Sequence, residues 1–211
     1  MKLLLARFVD LLYPRTCANC GRIGEAAWCA QCTIDLQERP FELIERTLEN
    51  GLTVLAAGIH TGLLRSAIHA FKFDGAQSLA DTLGTALGEV LTRAQVEVDL
   101  VTDVPLHPQR ERWRGYNQSA LLAQVVAEIL NAPYESVLRR TRYAAPQVGR
   151  DAQSRRQAVD GVFDVTANNL AGLRLLVVDD VVTTGSTLMA CASALVDAGA
   201  GQVSAACVVS A

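Results

Sequence analysis

The chain has 211 residues, half of them hydrophobic, which suits one α/β body with a substantial core and a small appendage. The formal charge of −3 is unevenly spread: nine arginines between Pro105 and Arg156 face only Glu111, Glu128, Glu135 and Asp151, so that stretch carries +5 and the remainder −8. An anion is the expected partner of the basic stretch, the alternative being a solvated basic face. No apolar run reaches the roughly 18 residues that a transmembrane helix needs.

In chain order, Leu4, Leu5, Phe8, Leu11 and Leu12 fall on one helical face that Pro14 ends. Arg7 and Asp10 interrupt the run and no small-residue cleavage site follows, so an amphipathic helix and a cytoplasmic protein are expected rather than an exported one. Cys17, Cys20, Cys29 and Cys32 follow as C-x2-C-x8-C-x2-C. Each pair presents two thiolates from one tight turn, and two such turns close a tetrahedral structural zinc site. Disulfides are a poor alternative in a reducing compartment. Cys191 and Cys207 read as small core residues.

Asp35 to Asn50 reads as a linker around Pro40, and Leu52 to His60 as a strand. Leu63 to Phe73 and Leu79 to Arg93 read as helices, and Leu100 to Val104 as a strand that Pro105 ends. Pro105 to Gln118 reads as a basic loop with Arg110, Arg112 and Arg114. Trp113 and Tyr116 within it are expected to pack on the sheet edge, and His107 to be a loop residue or phosphate contact. Asn117 to Leu130 is an amphipathic helix and Ser136 to Arg140 a strand. Thr141 to Gln157 lacks an apolar face and reads as a mobile loop. His60 and His69 are expected to be structural, and Lys72 either to reach an anion or to cap its helix. After a short strand at Val162 to Val165, Leu173 to Val178 forms a buried strand ending at Asp179 and Asp180. Thr183, Thr184, Gly185, Ser186 and Thr187 then open a helix to Ala198, and a last strand spans Val203 to Val209. Helix N-terminal N–H groups and hydroxyls cradle phosphate, while adjacent carboxylates accept from ribose hydroxyls. An ordinary capped strand–turn–helix accounts for one hydroxyl but not for four with two acids.

The Asp179–Thr187 segment resembles the phosphoribosyl-pyrophosphate (PRPP) loop of type I phosphoribosyltransferases. With the cysteine quartet and Arg114-Gly115-Tyr116-Asn117-Gln118, nearly the whole chain resembles the ComF family of competence-associated proteins. The resemblance implies an α/β fold with a mainly parallel sheet of the type I phosphoribosyltransferase kind, preceded by a small helix and a zinc ribbon or knuckle. The expected division is residues 1–45 for the helix and zinc module and 50–211 for the phosphoribosyltransferase-like part.

The resemblance further implies a PRPP site of Asp179, Asp180, Thr183, Thr184, Gly185, Ser186, Thr187, Arg110 and Arg114, with Asp179 and Asp180 catalytic. Mg2+ would accompany PRPP, and Zn2+ would sit in the cysteines. Gln147, Arg155 and Arg156 match family positions in a closing loop, where Ala158 departs from the family's Asn. Two function classes stay open. One is a phosphoribosyltransferase of unknown acceptor acting in DNA uptake. The other is a non-catalytic PRPP sensor or single-stranded-DNA-binding module, with DNA-uptake proteins as partners.

Overall fold

The computed structural model describes residues 16–24, 27–141 and 162–211. The expected helix over Leu4 to Leu12, and Gln147, Arg155, Arg156 and Ala158 of the expected closing loop, lie outside the described residues. The described elements are α1 (Ala30–Gln37), β1 (Ile44–Thr47), β2 (Thr53–Ala56), α2 (Gly62–Phe73), α3 (Leu79–Arg93), β3 (Leu100–Asp103), α4 (Pro108–Arg114), α5 (Gln118–Ile129), β4 (Leu138–Arg140), β5 (Phe163–Val165), β6 (Arg174–Val182), α6 (Ser186–Asp197) and β7 (Gln202–Ser210). Among the described residues, no helix is long and apolar enough to cross a membrane.

The main sheet runs β1-β2-β7-β6-β3. β2, β7, β6 and β3 are parallel, and β1 adds an antiparallel edge. β6 lies inside this sheet, and its alternation divides the core. Leu176 and Val178 join the cluster that includes Leu83, Leu87, Leu122 and Val126 of α3 and α5. Leu175 and Val177 join the opposite cluster, with Leu188 and Leu195 of α6. Each such fully buried side chain contributes roughly 1.5–3 kcal/mol. α3 and α5 approach closely because Gly84 and Gly88 lack side chains: a Cβ on Gly84 would lie 2.7 Å from Val125 Cβ. β4 and β5 form a separate antiparallel pair.

Three expectations change. β6 does not end before the acids but runs through them to Val182, because β7 continues alongside to the Val182–Ser210 register pair. The expected linker contains the end of α1 and all of β1, an edge strand whose three exposed residues hide the alternation. The expected basic loop contains α4, with His107 as N-cap, Pro108 in its first turn and Gly115 in the left-handed region at its end.

Candidate functional site

Two connections meet at one rim of the sheet. β3 and β6 are parallel neighbours with Asp103 beside Val178, so the segments following both leave from the same edge.

The first connection is the turn from β6 into α6. Gly185 has φ 77°, and a Cβ there would lie 2.3 Å from Leu48 Cδ1. It serves as N-cap of α6 without a side chain of its own, and Thr184 Oγ1 accepts from Ser186 N at a long 3.5 Å. Arg46 Nη1 donates to the Thr183 carbonyl at 2.7 Å and fixes the turn from the β1 side. The Thr184 and Ser186 hydroxyls hydrogen-bond at 2.6 Å, with Thr183 and Thr184 exposed and Thr187 in the helix's first turn. N–H donors at a helix start, flanked by hydroxyls, are suited to a phosphate.

Strand alternation sends the two acids to different partners. Asp180, 5% exposed, accepts an ion pair from Lys72 Nζ at 2.9 Å, so the Lys72 of α2 neither merely caps its helix nor stands free. Asp179 Oδ1 accepts from Ser119 Oγ and from the Asp180 N–H, both at 2.8 Å. Burial, and then the Asp180 charge, push the Asp179 carboxyl up to about 7; Ser119, Lys72 and the Asp180 N–H act against that shift. Ser119 is itself placed by Asn117, the N-cap of α5, whose Oδ1 accepts from Ser119 N at 3.1 Å. Asn117 Nδ2 in turn donates to buried Asp103 at 2.7 Å, which also accepts from Tyr134.

Asp179 thus retains its proton in the folded chain at pH values where the unfolded chain has lost it, above about 3.9. A proton held more tightly by the native state stabilises below that pH and is lost as pH rises through about 7. Asp179→Asn is therefore expected to lessen the loss of stability between pH 5 and pH 8. Urea midpoints of both proteins at the two pH values check this; an identical difference in the two proteins would refute it.

The second connection carries the basic residues. His107 Nδ1 accepts from Gln109 N at 3.2 Å, so this histidine is a helix cap. Arg114 stacks over Phe73 at 5.3 Å, and its Nε is enclosed without a hydrogen-bond partner. Burial lowers the Arg114 pKa, and the nearby Asp180 charge opposes that. Tyr116 is buried against α2 and not on the sheet edge: its ring lies 5.9 Å from that of Phe71, and its hydroxyl donates to the Phe71 carbonyl. Trp113 is not packed on the sheet edge: it is 72% exposed. A cavity of about 450 Å³ lies here, lined by Phe73, Gln109, Arg110, Trp113 and Arg114.

Sequence reasoning missed Arg140, which ends β4 over the Phe163 ring with an enclosed, unpartnered Nε. Burial, then Arg110, lower its pKa, and Asp179 is among its neighbouring charges. Its position depends on how the β4–β5 pair docks, which no local pattern announces. His69, expected in apolar surroundings, is exposed and pairs with Asp74.

The four cysteines converge. Their sulfurs lie within 4.8 Å of one another and could hold one metal ion. Cys17 and Cys20 come from a turn closed by Gly21 N donating to Cys17 O. Cys29 and Cys32 do not come from a second such turn: Cys29 is the N-cap and Cys32 lies in the first turn of α1. Burial would raise the Cys17 thiol, but the N–H groups of Cys20, Cys29 and Asn19 outweigh it and bring it to about 6. Burial and the other thiols push Cys32 up to about 12, so bringing all four to the thiolate form calls for a cation. Cys191 and Cys207 lie in the core, where burial raises both thiols.

A parallel sheet whose strand delivers two acids to a glycine-capped, hydroxyl-rich helix start defines a phosphoribosyltransferase-like protein, and residues 117–211 match the phosphoribosyl transferase domain. The chain belongs to the ComF family. It is 32% identical to competence protein F of Haemophilus influenzae over 181 residues, covering 82% of this chain and 74% of that one. It is 33% identical to the DNA utilization protein YhgH of Salmonella typhi over 150 residues, covering 68% of this chain and 66% of that one. It is 25% identical to competence protein ComFC of Bacillus subtilis over 185 residues, 87% of this chain and 72% of that one. Among solved structures, the glutamine PRPP amidotransferase of B. subtilis with ADP and GMP is 27% identical, covering 62% of this chain and 26% of that chain at a TM-score of 0.44. An orotate phosphoribosyltransferase from Aeropyrum pernix is 19% identical, covering 82% and 77% at a TM-score of 0.39.

Proposed function

We propose that this chain binds PRPP with Mg2+ across the rim of its sheet and serves DNA uptake from the cytoplasmic side. The observation that carries the reading is the turn after β6, where Gly185 gives α6 an N-cap without a side chain beside exposed Thr183 and Thr184, next to two carboxylates. On this reading Thr183, Thr184, Gly185, Ser186 and Thr187 hold the 5′-phosphate through N–H groups and hydroxyls. Asp179 and Asp180 accept from the ribose hydroxyls and stabilise positive charge at the anomeric carbon. Arg110 and Arg114 grip the pyrophosphate.

The carboxylates and phosphate oxygens form an oxygen-only donor set that fits Mg2+, which would neutralise the pyrophosphate. The four thiolates fit Zn2+, and N–H contacts from Asn19 to Cys32 Sγ at 3.4 Å and from Cys29 to Cys17 Sγ at 3.5 Å would support them. The relatives' names, competence protein and DNA utilization protein, support the DNA-uptake role.

Two versions of the reading differ in turnover. One transfers phosphoribosyl to an unknown acceptor with loss of pyrophosphate. The other is a sensor without turnover. Release of pyrophosphate from PRPP in the presence of candidate bases separates them.

PRPP binding is tested by separating its two ends. Arg114→Ala is expected to weaken PRPP by more than about tenfold, a charge-assisted contact contributing roughly 1.5–3 kcal/mol, while leaving ribose 5-phosphate little changed. Thr184→Val is expected to weaken both ligands. Calorimetric titration of each ligand into each variant decides; equal losses of both ligands on Arg114→Ala would refute the two-ended site.

A further inference from the structure

Asp103 ends β3 and is only 1% exposed, yet among the described residues no lysine or arginine pairs with it. Burying an acid without a cation is costly, and packing alone would be served by an apolar residue. Both its oxygens are in use: Oδ2 accepts from Asn117 Nδ2 at 2.7 Å and Oδ1 from the Tyr134 hydroxyl at 3.0 Å. Asn117 Nδ2 also donates to the Val104 carbonyl at 3.1 Å. A carboxylate and a carbonyl only accept, so the amide nitrogen is held toward them. The amide oxygen is thereby turned to Ser119 N, 3.1 Å away in the first turn of α5.

Ser119 is buried, and its hydroxyl donates to Asp179 Oδ1 at 2.8 Å. The Asp180 N–H donates to the same oxygen, also at 2.8 Å. Two donors on one oxygen fix the plane of the carboxyl, and Oδ2 accepts from no donor among the described residues. A ribose hydroxyl finds an acceptor there while the acid is ionised; a proton on Oδ2 makes that oxygen a donor.

We propose that Asp103, Asn117 and Ser119 are a positioning relay for Asp179: Asp103 fixes the Asn117 amide, Asn117 fixes Ser119, and the Ser119 hydroxyl holds the carboxylate with Oδ2 offered to the ligand. The relay stands on the hydrogen bonds; the ligand-facing role of Oδ2 rests on the PRPP reading given above. The charges around Asp179 come from every layer. Burial, then Asp180 on its own strand, push the carboxyl up to about 7, while Ser119 and Lys72 of α2 act against them. Arg140 of β4 acts with Lys72. Cys191 of α6 and Cys207 of β7 face the acid as thiols that burial raises. His60 feels Lys72 and Asp180, and burial pushes it down. His60 and the ligand's own phosphates titrate alike in every variant, so a difference between variants belongs to Asp179.

The test is calorimetric titration of PRPP with Mg2+ into the full chain between pH 5.5 and pH 9. Losing one hydrogen bond to a charged group is about tenfold in an equilibrium, so Ser119→Ala is expected to move the pH midpoint of binding up by about 1. Its affinity is then about fivefold below wild type at pH 7, with most of the loss recovered at pH 9. Ser119→Thr keeps the hydroxyl and is expected to keep the wild-type midpoint. Asp103→Asn separates relay from charge. Removing a negative charge alone would lower the midpoint, whereas freeing the Asn117 amide raises it. A Ser119→Ala loss that is equal at every pH, or absent, overturns the relay, and a lowered midpoint in Asp103→Asn removes Asp103 and Asn117 from it.

Urea unfolding reads the relay without a ligand. Ser119 stabilises only the ionised acid, so Ser119→Ala is expected to lose more stability than wild type as pH rises from 5 to 9. In an Asp179→Asn background that extra loss is expected to vanish. Equal losses in wild type and Ser119→Ala overturn the relay. If calorimetry shows no PRPP binding to the wild type, it is the PRPP reading that fails, and with it the ligand-facing role of Oδ2, while the urea midpoints still decide the relay.

Discussion

Gly185→Val is expected to abolish PRPP binding and to destabilise the chain by about 2–5 kcal/mol. A left-handed backbone costs a residue with a side chain roughly 1–2 kcal/mol, and a β-branched one at the upper end. The new Cβ would also stand 2.3 Å from Leu48 Cδ1, and overpacking a buried leucine adds about 1–3 kcal/mol. The turn must then open, and its N–H groups no longer converge on a phosphate. Adding Leu48→Ala to Gly185→Ala separates the two contributions: the clash is relieved while the backbone cost stays. Urea unfolding for stability and calorimetry for PRPP measure both effects, and full PRPP affinity in Gly185→Val would show that the turn is not the phosphate site.

Cys17→Ser with Cys20→Ser is expected to release one Zn2+ per chain and to lower the melting temperature by about 6–12 °C. Structural zinc contributes directly to folding. Here Trp28, Cys32 and Leu36 are buried in the same cluster as Leu83 and Leu87 of α3, so losing the metal loosens one wall of a core that α3 shares. A loss of about 3 kcal/mol in a chain of this length corresponds to that shift. Residues beyond about 50 are expected to stay folded at 25 °C, with far-ultraviolet circular dichroism largely retained. Elemental analysis finding no zinc in the wild type, with four freely titrating thiols, would refute the assignment.

The long elements were legible because their apolar periods are long. α3 has the predicted bounds, and α5 and β6 lie within a few residues of them. The cysteine set and the hydroxyl-rich turn were legible because their chemistry is local in sequence. α4 was not read, since seven residues leave no room for an apolar period; its cap signals, His107-Pro108 and Gly115, were nonetheless there to be used. The partners of the acids were hidden for another reason. Lys72 reaches Asp180 from 108 positions earlier in the chain, and Ser119 reaches Asp179 from 60 positions earlier, so only the tertiary fold creates these contacts. The exposure of Trp113 ran against expectation because a tryptophan is by default a core residue.

The hydrogen bond from the Tyr116 hydroxyl to the Phe71 carbonyl ties the end of α2 to the junction between α4 and α5. Lys72 and Phe73 follow directly on the acceptor, and Trp113 and Arg114 lie just before the donor. The ammonium that neutralises Asp180, the aromatic ring beneath Arg114 and the arginine helix therefore share one anchor. A displacement of α4 would therefore load the tether that immediately precedes Lys72, and any binding free energy passed between helix and strand by this route would be equal in both directions.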